Sequence, residues 1–176
     1  MSDEPPIADG IHHQLDPRVI SLHRLIGLIV CVIVAVAALW GLLGATLAAL
    51  VNDGPAAWVF LLGAPIWFAV TGLLAWHARR WPEISYRHAS YRVDDTAIEI
   101  RRGVFWRNVI NVPRSRVQHL DVSQGPFERR YGLGTLIIHT AGTDHAQVQL
   151  GGLDHARALR IREHLLPTGR TSSDAV

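Results

Sequence analysis

Two long apolar runs without a charged side chain dominate the first half of the chain. The first covers residues 25–51 and the second covers residues 55–76. About 20 apolar residues cross the hydrocarbon core of a bilayer as a helix, so each run predicts one membrane-spanning helix. Only Asn52-Asp53-Gly54 separates the runs. So short a loop predicts an antiparallel helical hairpin, within a segment that we bound at 18–80.

Arginines stand on the outer sides of both runs, whereas the loop between the runs carries only Asp53. They are found at positions 18, 24, 79, 80 and 87. Basic residues near the ends of membrane helices favour the cytoplasmic side. This distribution predicts a multi-pass protein of the plasma (inner) membrane, with both termini and the second half of the chain in the cytoplasm.

Small residues recur at helical spacing in the first run, at Gly41, Ala45 and Ala49. Small side chains allow the backbones of two membrane helices to approach closely. The partner is either a second copy of the chain or the second helix of the same hairpin. We favour the second helix, because it is tethered to the first at high effective concentration.

The pattern changes after residue 82 to short stretches rich in β-branched residues, separated by turn signals. It predicts six strands, at 86–93, 97–102, 104–112, 116–122, 134–140 and 145–150. A helix is predicted to follow, with Asp154 as its N-cap and Pro167 as its end. We therefore expect a mostly-β domain at 83–166, a flexible N-terminus at 1–17 and a flexible tail at 167–176.

Composition agrees with a membrane protein that carries one small domain. Hydrophobic residues make up 49% of the 176 residues, charged residues 18%, and the formal net charge is +2. Lysine is absent, so every permanently cationic side chain is an arginine. The single cysteine, Cys31, lies in the first apolar run. An intramolecular disulfide and a zinc site built from several thiolates are therefore excluded.

The stretch "IEIRRGVFWRNVINVPRSRVQHLDVSQGPFERRYGLGTLIIHTAG", residues 98–142, resembles the bacterial pleckstrin-homology domain of the membrane family known as domain of unknown function 304. The likeness depends on the strand–glycine–strand "IRRGVFWRNVINVP", on "PRSRVQHLDV" and on "RRYGLGTLIIHT". With the hairpin included, it covers roughly residues 15–166. It implies an N-terminal transmembrane helical hairpin followed by two bent antiparallel sheets capped by a C-terminal helix.

No arrangement of residues in the sequence indicates catalysis. The ten histidines include no HExxH or similar spacing, and neither Ser115 nor Ser123 has a nucleophile-elbow context. Gly132-Leu133-Gly134 precedes a predicted strand instead of a helix, so it is not a dinucleotide fingerprint. We predict that the chain is not an enzyme and holds no cofactor or metal.

Arginines of the second half are the candidates for binding. We single out Arg101, Arg102, Arg129 and Arg130 as residues that contact lipid or a protein partner. For Arg129 and Arg130, solvation or bracing of a loop is the favoured alternative. Generic contact with anionic lipid fits a domain tethered to a membrane, and nucleic-acid binding does not. The acidic turn "VDDTA" stands where the resemblance would require basic residues for a specific inositol phosphate pocket.

Two functions remain open. The first is a non-catalytic membrane protein whose cytoplasmic pleckstrin-homology-like domain is an interaction module, assembling with another membrane or envelope protein or with a second copy. The second is a sensor of anionic lipid surfaces that acts through the arginine-rich face. Membrane lipids are expected partners in both.

Overall fold

A computed structural model describes residues 7–141 and 147–166, and the chain divides into two units. The helical unit is His23–Glu83, and the β-rich unit combines Met1–Leu22 with Ile84–Val176. The predicted fold class is confirmed: two long apolar helices precede a mostly-β domain with two antiparallel sheets and a C-terminal helix. The predicted tail at 167–176 lies outside the described residues.

The helices and strands of the described residues follow one another along the chain in a fixed order. They are β1 (His12–Gln14), α1 (Arg18–Val51), α2 (Ala56–Arg87), β2 (Ser90–Val93), β3 (Ala97–Arg102), β4 (Asn108–Pro113), a 3-10 turn (Arg114–Arg116), β5 (Val117–Ser123), α3 (Pro126–Tyr131), β6 (Leu133–Thr140), β7 (Gln147–Asp154) and α4 (His155–Leu165). Helix α2 runs through Pro82 to Arg87, so the predicted strand at 86–93 is wrong in its first residues.

The helical unit is an antiparallel hairpin whose helices are both long and apolar enough to cross a membrane. Near one end, the Arg24 guanidinium donates to the carbonyl of Arg79 at 3.1 Å and to the carboxylate of Glu83 at 3.2 Å. Towards the middle, the indole N–H of Trp67 donates to the carbonyl of Ala35 at 2.9 Å. These polar groups find partners between the two helices instead of facing lipid tails unpaired.

Two glycines outside the pattern Gly41, Ala45 and Ala49 lie against the other helix of the hairpin. A Cβ added at Gly63 would lie 2.3 Å from Cδ1 of Leu42, and one added at Gly27 would lie 3.0 Å from Cβ of Ala78. A Cβ at Gly41 would meet nothing within 4 Å. The expectation that the face containing Gly41 packs against α2 is therefore wrong for Gly41, because register places Gly27 and Gly63 at the contact.

The β-rich unit contains a four-stranded sheet in the order β1-β2-β3-β4 and a three-stranded sheet in the order β5-β6-β7. Strand β1 pairs antiparallel with β2, with His13 opposite Tyr91. Residues 12–14 lie within the N-terminal segment 1–17 that was expected to be flexible, and they form this strand. The membrane hairpin is therefore inserted between the first two strands of a seven-stranded fold.

One core joins the two sheets and α4. Its fully buried side chains include Tyr91, Ile98, Leu136, Ile161 and Leu165. The predicted N-cap of α4 is confirmed, since the Asp154 carboxylate accepts from the backbone N–H groups of Ala156 and Arg157. The apolar stripe of α4 thus covers the sheets, as the predicted capping helix should.

A second, smaller cluster brings both ends of the membrane hairpin into the β-rich unit. Val19 and Leu22, from the first turns of α1, pack with the fully buried Leu133. Tyr86, near the end of α2, packs on the same cluster and donates its hydroxyl to the carbonyl of Leu15 at 3.1 Å. The β-rich unit is therefore built from two segments of the sequence that the membrane hairpin separates.

Candidate functional site

The most exposed apolar surface of the β-rich unit is the turn between β3 and β4. These strands pair antiparallel up to Arg102 and Asn108, which leaves the five residues 103–107 as the turn. Gly103 has φ of 119°, and a Cβ there would lie 1.8 Å from the carbonyl oxygen of Trp106. Only glycine fits that position, so Gly103 fixes the shape of the turn.

Two aromatic side chains occupy the tip of this turn. Phe105 is 80% exposed, Trp106 is 85% exposed, and Val109 at the start of β4 is 60% exposed. We call these three residues the aromatic tip. Single exposed apolar residues are ordinary, whereas a contiguous exposed group marks an interaction site. The aromatic tip therefore points to binding of an apolar or interfacial partner.

A basic cavity of about 340 Å³ lies at the base of the same hairpin. Its lining brings together four arginines from three elements: Arg87 at the end of α2, Arg101 and Arg102 on β3, and Arg107 in the turn. No carboxylate belongs to the lining. Register explains the assembly, because Ser90 at the start of β2 stands opposite Arg101. The end of α2 and the β3–β4 turn therefore lie at the same end of the sheet.

Of the three cavity arginines on β3 and in the turn, only Arg101 has a carboxylate partner among the described residues. Arg101 Nε donates to Glu99 on the same strand, and the pKa of the Glu99 carboxyl is lowered, mainly by this hydrogen bond. Arg102 reaches the carbonyl of Gln149 at 3.4 Å, which leaves its charge uncompensated. Within the described ranges, Arg107 has no hydrogen bond or ion pair. The cavity is therefore electropositive.

His88 and Ser90 add further polar groups to the lining. The Nδ1 atom of His88 lies 2.8 Å from the carbonyl oxygen of Ile84. Because a carbonyl only accepts, Nδ1 carries the proton, and Nε2 is left to act as an acceptor in the neutral ring.

The structure separates the four arginines singled out in the sequence. Arg101 and Arg102 line the cavity, whereas Arg129 and Arg130 lie on α3 and do not. The side chains of both α3 arginines are exposed, and neither side chain makes a hydrogen bond or ion pair in the described part of the chain. The loop is braced instead by Glu128, whose carboxylate accepts from the N–H of Gly125 at 2.7 Å and from the hydroxyl of Thr135 at 2.8 Å.

Sequence reasoning missed the aromatic tip and two of the cavity arginines. It placed Phe105 and Trp106 in a predicted strand at 104–112, because aromatic residues favour strands. It used Arg87 only as a charge that orients the membrane hairpin. The sequence does contain a signal for the turn. Gly103 favours a turn, and the aromatic pair Phe105-Trp106 that follows it stands between Arg102 and Arg107.

The acidic turn is not the first connection of the fold. Because β1 precedes the membrane hairpin, the connection between the first two strands is the hairpin itself, and "VDDTA" lies in the second, between β2 and β3. The two acidic residues of this turn therefore do not occupy the connection between the first two strands. Among residues 7–141 and 147–166, no group of three or more histidine, cysteine or acidic side chains is placed to hold a metal ion.

Comparison with known proteins agrees with this architecture. The model of a family described as "Bacterial PH domain" matches residues 19–168. The chain is also 35% identical over 95 residues to the UPF0699 transmembrane protein YdbS of Bacillus subtilis (strain 168). That match covers 54% of this chain and 58% of the relative's length. No solved structure matches the chain.

Proposed function

We propose that this chain, which belongs to the bacterial PH domain family, is a non-catalytic membrane protein whose β-rich unit is an interaction module for the surface of the bilayer that its own helices span. The observation that carries the proposal is the aromatic tip beside a group of arginines. Tryptophan is enriched at the membrane–water interface, because its ring is apolar and its N–H is polar. Each basic group near an anionic surface contributes about 1 kcal/mol of attraction.

The chain itself holds the site near a membrane. Arg87 lines the cavity and follows Trp76, the last residue of the second apolar run, on the same continuous helix. Arg87 stands eleven positions after Trp76, which corresponds to about 16 Å of helix. Tethering at this range raises the effective concentration of lipid at the site, so weak contacts suffice.

This proposal changes the order of the two functions considered from the sequence. Assembly with another membrane or envelope protein stood first there, and contact with anionic lipid stood second. The aromatic tip lies beside Arg102 and Arg107, which no carboxylate of the described residues neutralises. Interfacial aromatic residues next to cations match the surface of an anionic bilayer directly. Assembly with a protein partner becomes the alternative outcome of the test.

The test uses the fluorescence of Trp106 in the full chain reconstituted into nanodiscs. The spectrum of the Trp106→Phe variant is subtracted from that of the native chain, which isolates the emission of Trp106. With anionic lipids brominated along the acyl chain, we expect this emission to be quenched. Replacing Arg102 and Arg107 with glutamine, or raising the salt concentration, should reduce the quenching.

Two controls make the result interpretable. Trp40 is 71% exposed on α1 and faces lipid in a membrane helix. Its emission should therefore be quenched in every bilayer that contains brominated lipid, whether anionic or uncharged. Replacing Arg129 and Arg130 with glutamine should leave the quenching of Trp106 unchanged, because these arginines lie on α3 and do not line the cavity beside the β3–β4 turn. If brominated anionic lipid does not quench the emission of Trp106, contact of the aromatic tip with lipid is refuted. A protein partner is then the favoured alternative.

The cytoplasmic location of the β-rich unit is part of the proposal. The arginines that flank the membrane hairpin support it. A reporter that is active only outside the cytoplasm should be active when inserted at Asn52-Asp53-Gly54 and silent when fused after Val176. The reverse pattern would place the unit on the other side of the membrane.

A further inference from the structure

We infer that the free edge of β4 is a docking site for an acidic, extended segment of another protein, which adds to the sheet as one further strand. Strand β4 is the last in the order β1-β2-β3-β4, so it pairs with β3 on one side only. Beyond that pairing, the backbone of residues 108–113 makes no hydrogen bond within the described residues. The inference goes beyond contact with lipid, because it concerns a backbone edge and a protein partner.

Register decides which backbone groups of β4 point to the free side. One position beyond the last pair of β3 and β4, the N–H of Arg114 donates to the carbonyl of Thr96 at 2.8 Å. Inward and outward backbone groups alternate along an antiparallel strand, and this pairing has no register shift. Val109 and Asn111 therefore turn both their N–H and their C=O outward. Pro113 also turns outward, and it has no N–H to leave unpaired.

Strand β4 lacks the features that keep the other sheet edges from pairing. Strand β1 has only three residues. The pairings of β5 with β6 and of β6 with β7 each contain a register shift, and the carbonyl of Gln149 on β7 accepts from Arg102 at 3.4 Å. Strand β4 has six residues and no charged side chain. Native proteins usually shield such an edge, so an open one indicates a partner strand.

A small groove runs beside this edge. Its lining combines residues 109–113 with Thr140, Ala141 and Val148 from the end of β6 and from β7, and we call it the edge groove. Its volume of about 260 Å³ lies below the range of small-molecule sites, which starts near 300 Å³. A space that follows a whole strand instead suits the side chains of an added strand, which alternate between its two faces.

Cations stand at both ends of β4. Arg116 belongs to the lining of the edge groove, Arg114 lies in the same 3-10 turn, and Arg107 precedes the other end of the strand. In the part of the chain that the structure describes, no carboxylate pairs with these three arginines and no acidic side chain lines the groove. Acidic residues at the two ends of a docked strand would therefore meet cations.

The same charges argue against a second copy of the chain as the occupant. Antiparallel pairing of two β4 strands would bring Arg107 of one copy towards Arg114 and Arg116 of the other. Parallel pairing would bring each arginine towards its equivalent. Like charges opposed across paired strands or an interface are destabilising. The occupant that complements this edge is a segment with acidic residues.

The probe is a synthetic peptide, Glu-Val-Thr-Val-Thr-Val-Glu, capped at both ends. Fluorescence anisotropy measures its affinity for the full chain in uncharged detergent. Two methylated forms carry N-methyl groups either on the odd or on the even residues. Each form blocks the N–H groups along one edge of the peptide and leaves its charge unchanged. The two forms therefore distinguish an added strand from a general attraction between charges.

We expect one methylated form to bind like the unmodified peptide and the other at least about tenfold more weakly, because it loses several backbone hydrogen bonds. Arg116→Gln should weaken binding of the unmodified peptide by up to about fivefold, as expected for an exposed ion pair. Arg129→Gln is the matched control, because it makes the same change of charge on α3 and should leave the affinity unchanged.

Residue-resolved hydrogen exchange locates the docked strand. In the free chain, the amides of Val109 and Asn111 should exchange faster than those of Ile110 and Val112, and the peptide should slow the first pair. Asn111→Pro removes one outward N–H and should weaken binding by about threefold or more. The methylated peptides need no change in the protein, so they decide the question even if this variant lowers the melting temperature.

Equal affinity for the two methylated forms would overturn the inference, since a strand has one pairing edge. Unchanged exchange at Val109 and Asn111, or failure of the acidic peptide to bind, would also overturn it. Self-association of the chain that Asn111→Pro abolishes would assign the edge to a second copy instead of an acidic partner. The quenching of Trp106 by brominated lipid does not depend on any of these results, so it tests the proposed function separately.

Discussion

Replacing Gly152 with alanine should destabilise the β-rich unit, because two separate costs meet at this residue. Its φ of 78° lies in the left-handed region, which costs an L-residue about 1–2 kcal/mol. A Cβ there would also lie 2.9 Å from Cγ2 of Val19 and 3.5 Å from Cδ1 of Leu15. Overpacking a filled core costs about 1–3 kcal/mol. We expect a total loss of about 2–5 kcal/mol in the free energy of unfolding.

The two costs separate in a double-mutant cycle with Val19→Ala. That variant removes Cγ2, so the nearest remaining neighbour of the new Cβ is the Cβ of residue 19 at 3.3 Å. In this background, Gly152→Ala should therefore cost only the conformational term of about 1–2 kcal/mol. Gly151→Ala is the matched control. Its φ is not in the left-handed region, and its closest contact would be the hydroxyl of Thr135 at 3.1 Å, so the conformational cost is absent and the close approach to Val19 is absent as well.

Hydrogen exchange of the full chain in detergent, read from peptides of β6 and β7, reports the stability of this unit without interference from the membrane helices. A change of 1.4 kcal/mol corresponds to a factor of ten in the exchange rate. We therefore expect Gly152→Ala to accelerate exchange by about 30-fold or more in the native background. In the Val19→Ala background, the same substitution should accelerate exchange by about 30-fold or less. An equal acceleration in both backgrounds would show that the first turn of α1 does not pack on Gly152. An effect no larger than that of Gly151→Ala would refute the whole argument.

Two further predictions test the membrane hairpin and the Arg101–Glu99 pair. Gly63→Ala should lower the melting temperature of the helical unit in detergent, because the new Cβ would overlap Leu42, whereas Gly41→Ala should not, since its Cβ meets open space. The lowered pKa of Glu99 stabilises the fold at pH values above the ordinary glutamate pKa of about 4.3. Arg101→Gln should raise this pKa and remove the stabilisation. The native chain should therefore melt above the variant at pH 7, and the difference should vanish as the pH falls through the pKa of Glu99. A difference that persists unchanged at pH 3 would exclude this carboxylate as its source.

The membrane hairpin was predictable because a bilayer imposes a length and a composition on any helix that crosses it. Both apolar runs became helices for that reason. Most strands were also predictable, since alternation along "AIEIRR" and "LGTLIIHT" has the period of a half-buried sheet. The N-cap Asp154 was predictable for an equally local reason, the pairing of its side chain with the next N–H groups.

Local patterns missed the elements whose stability comes from distant segments. Strand β1 has three residues and exists because β2, more than seventy residues later, offers it a free edge. Helix α2 extends to Arg87 because Tyr86 packs on a cluster that includes Val19 and Leu133. Neither contact leaves a periodic trace in the sequence.

The candidate site shows the same division. The sequence by itself determined that arginines are abundant after residue 80, that lysine is absent and that one half of the chain is apolar enough for a membrane. Only the tertiary structure decided which arginines act together. Pairing of β2 with β3 places Arg87 beside Arg101, Arg102 and Arg107, and it leaves Arg129 and Arg130 on another element. The physical reason is that charge is a property of single residues, whereas a cavity is produced by strand register, which depends on the packing of the whole sheet.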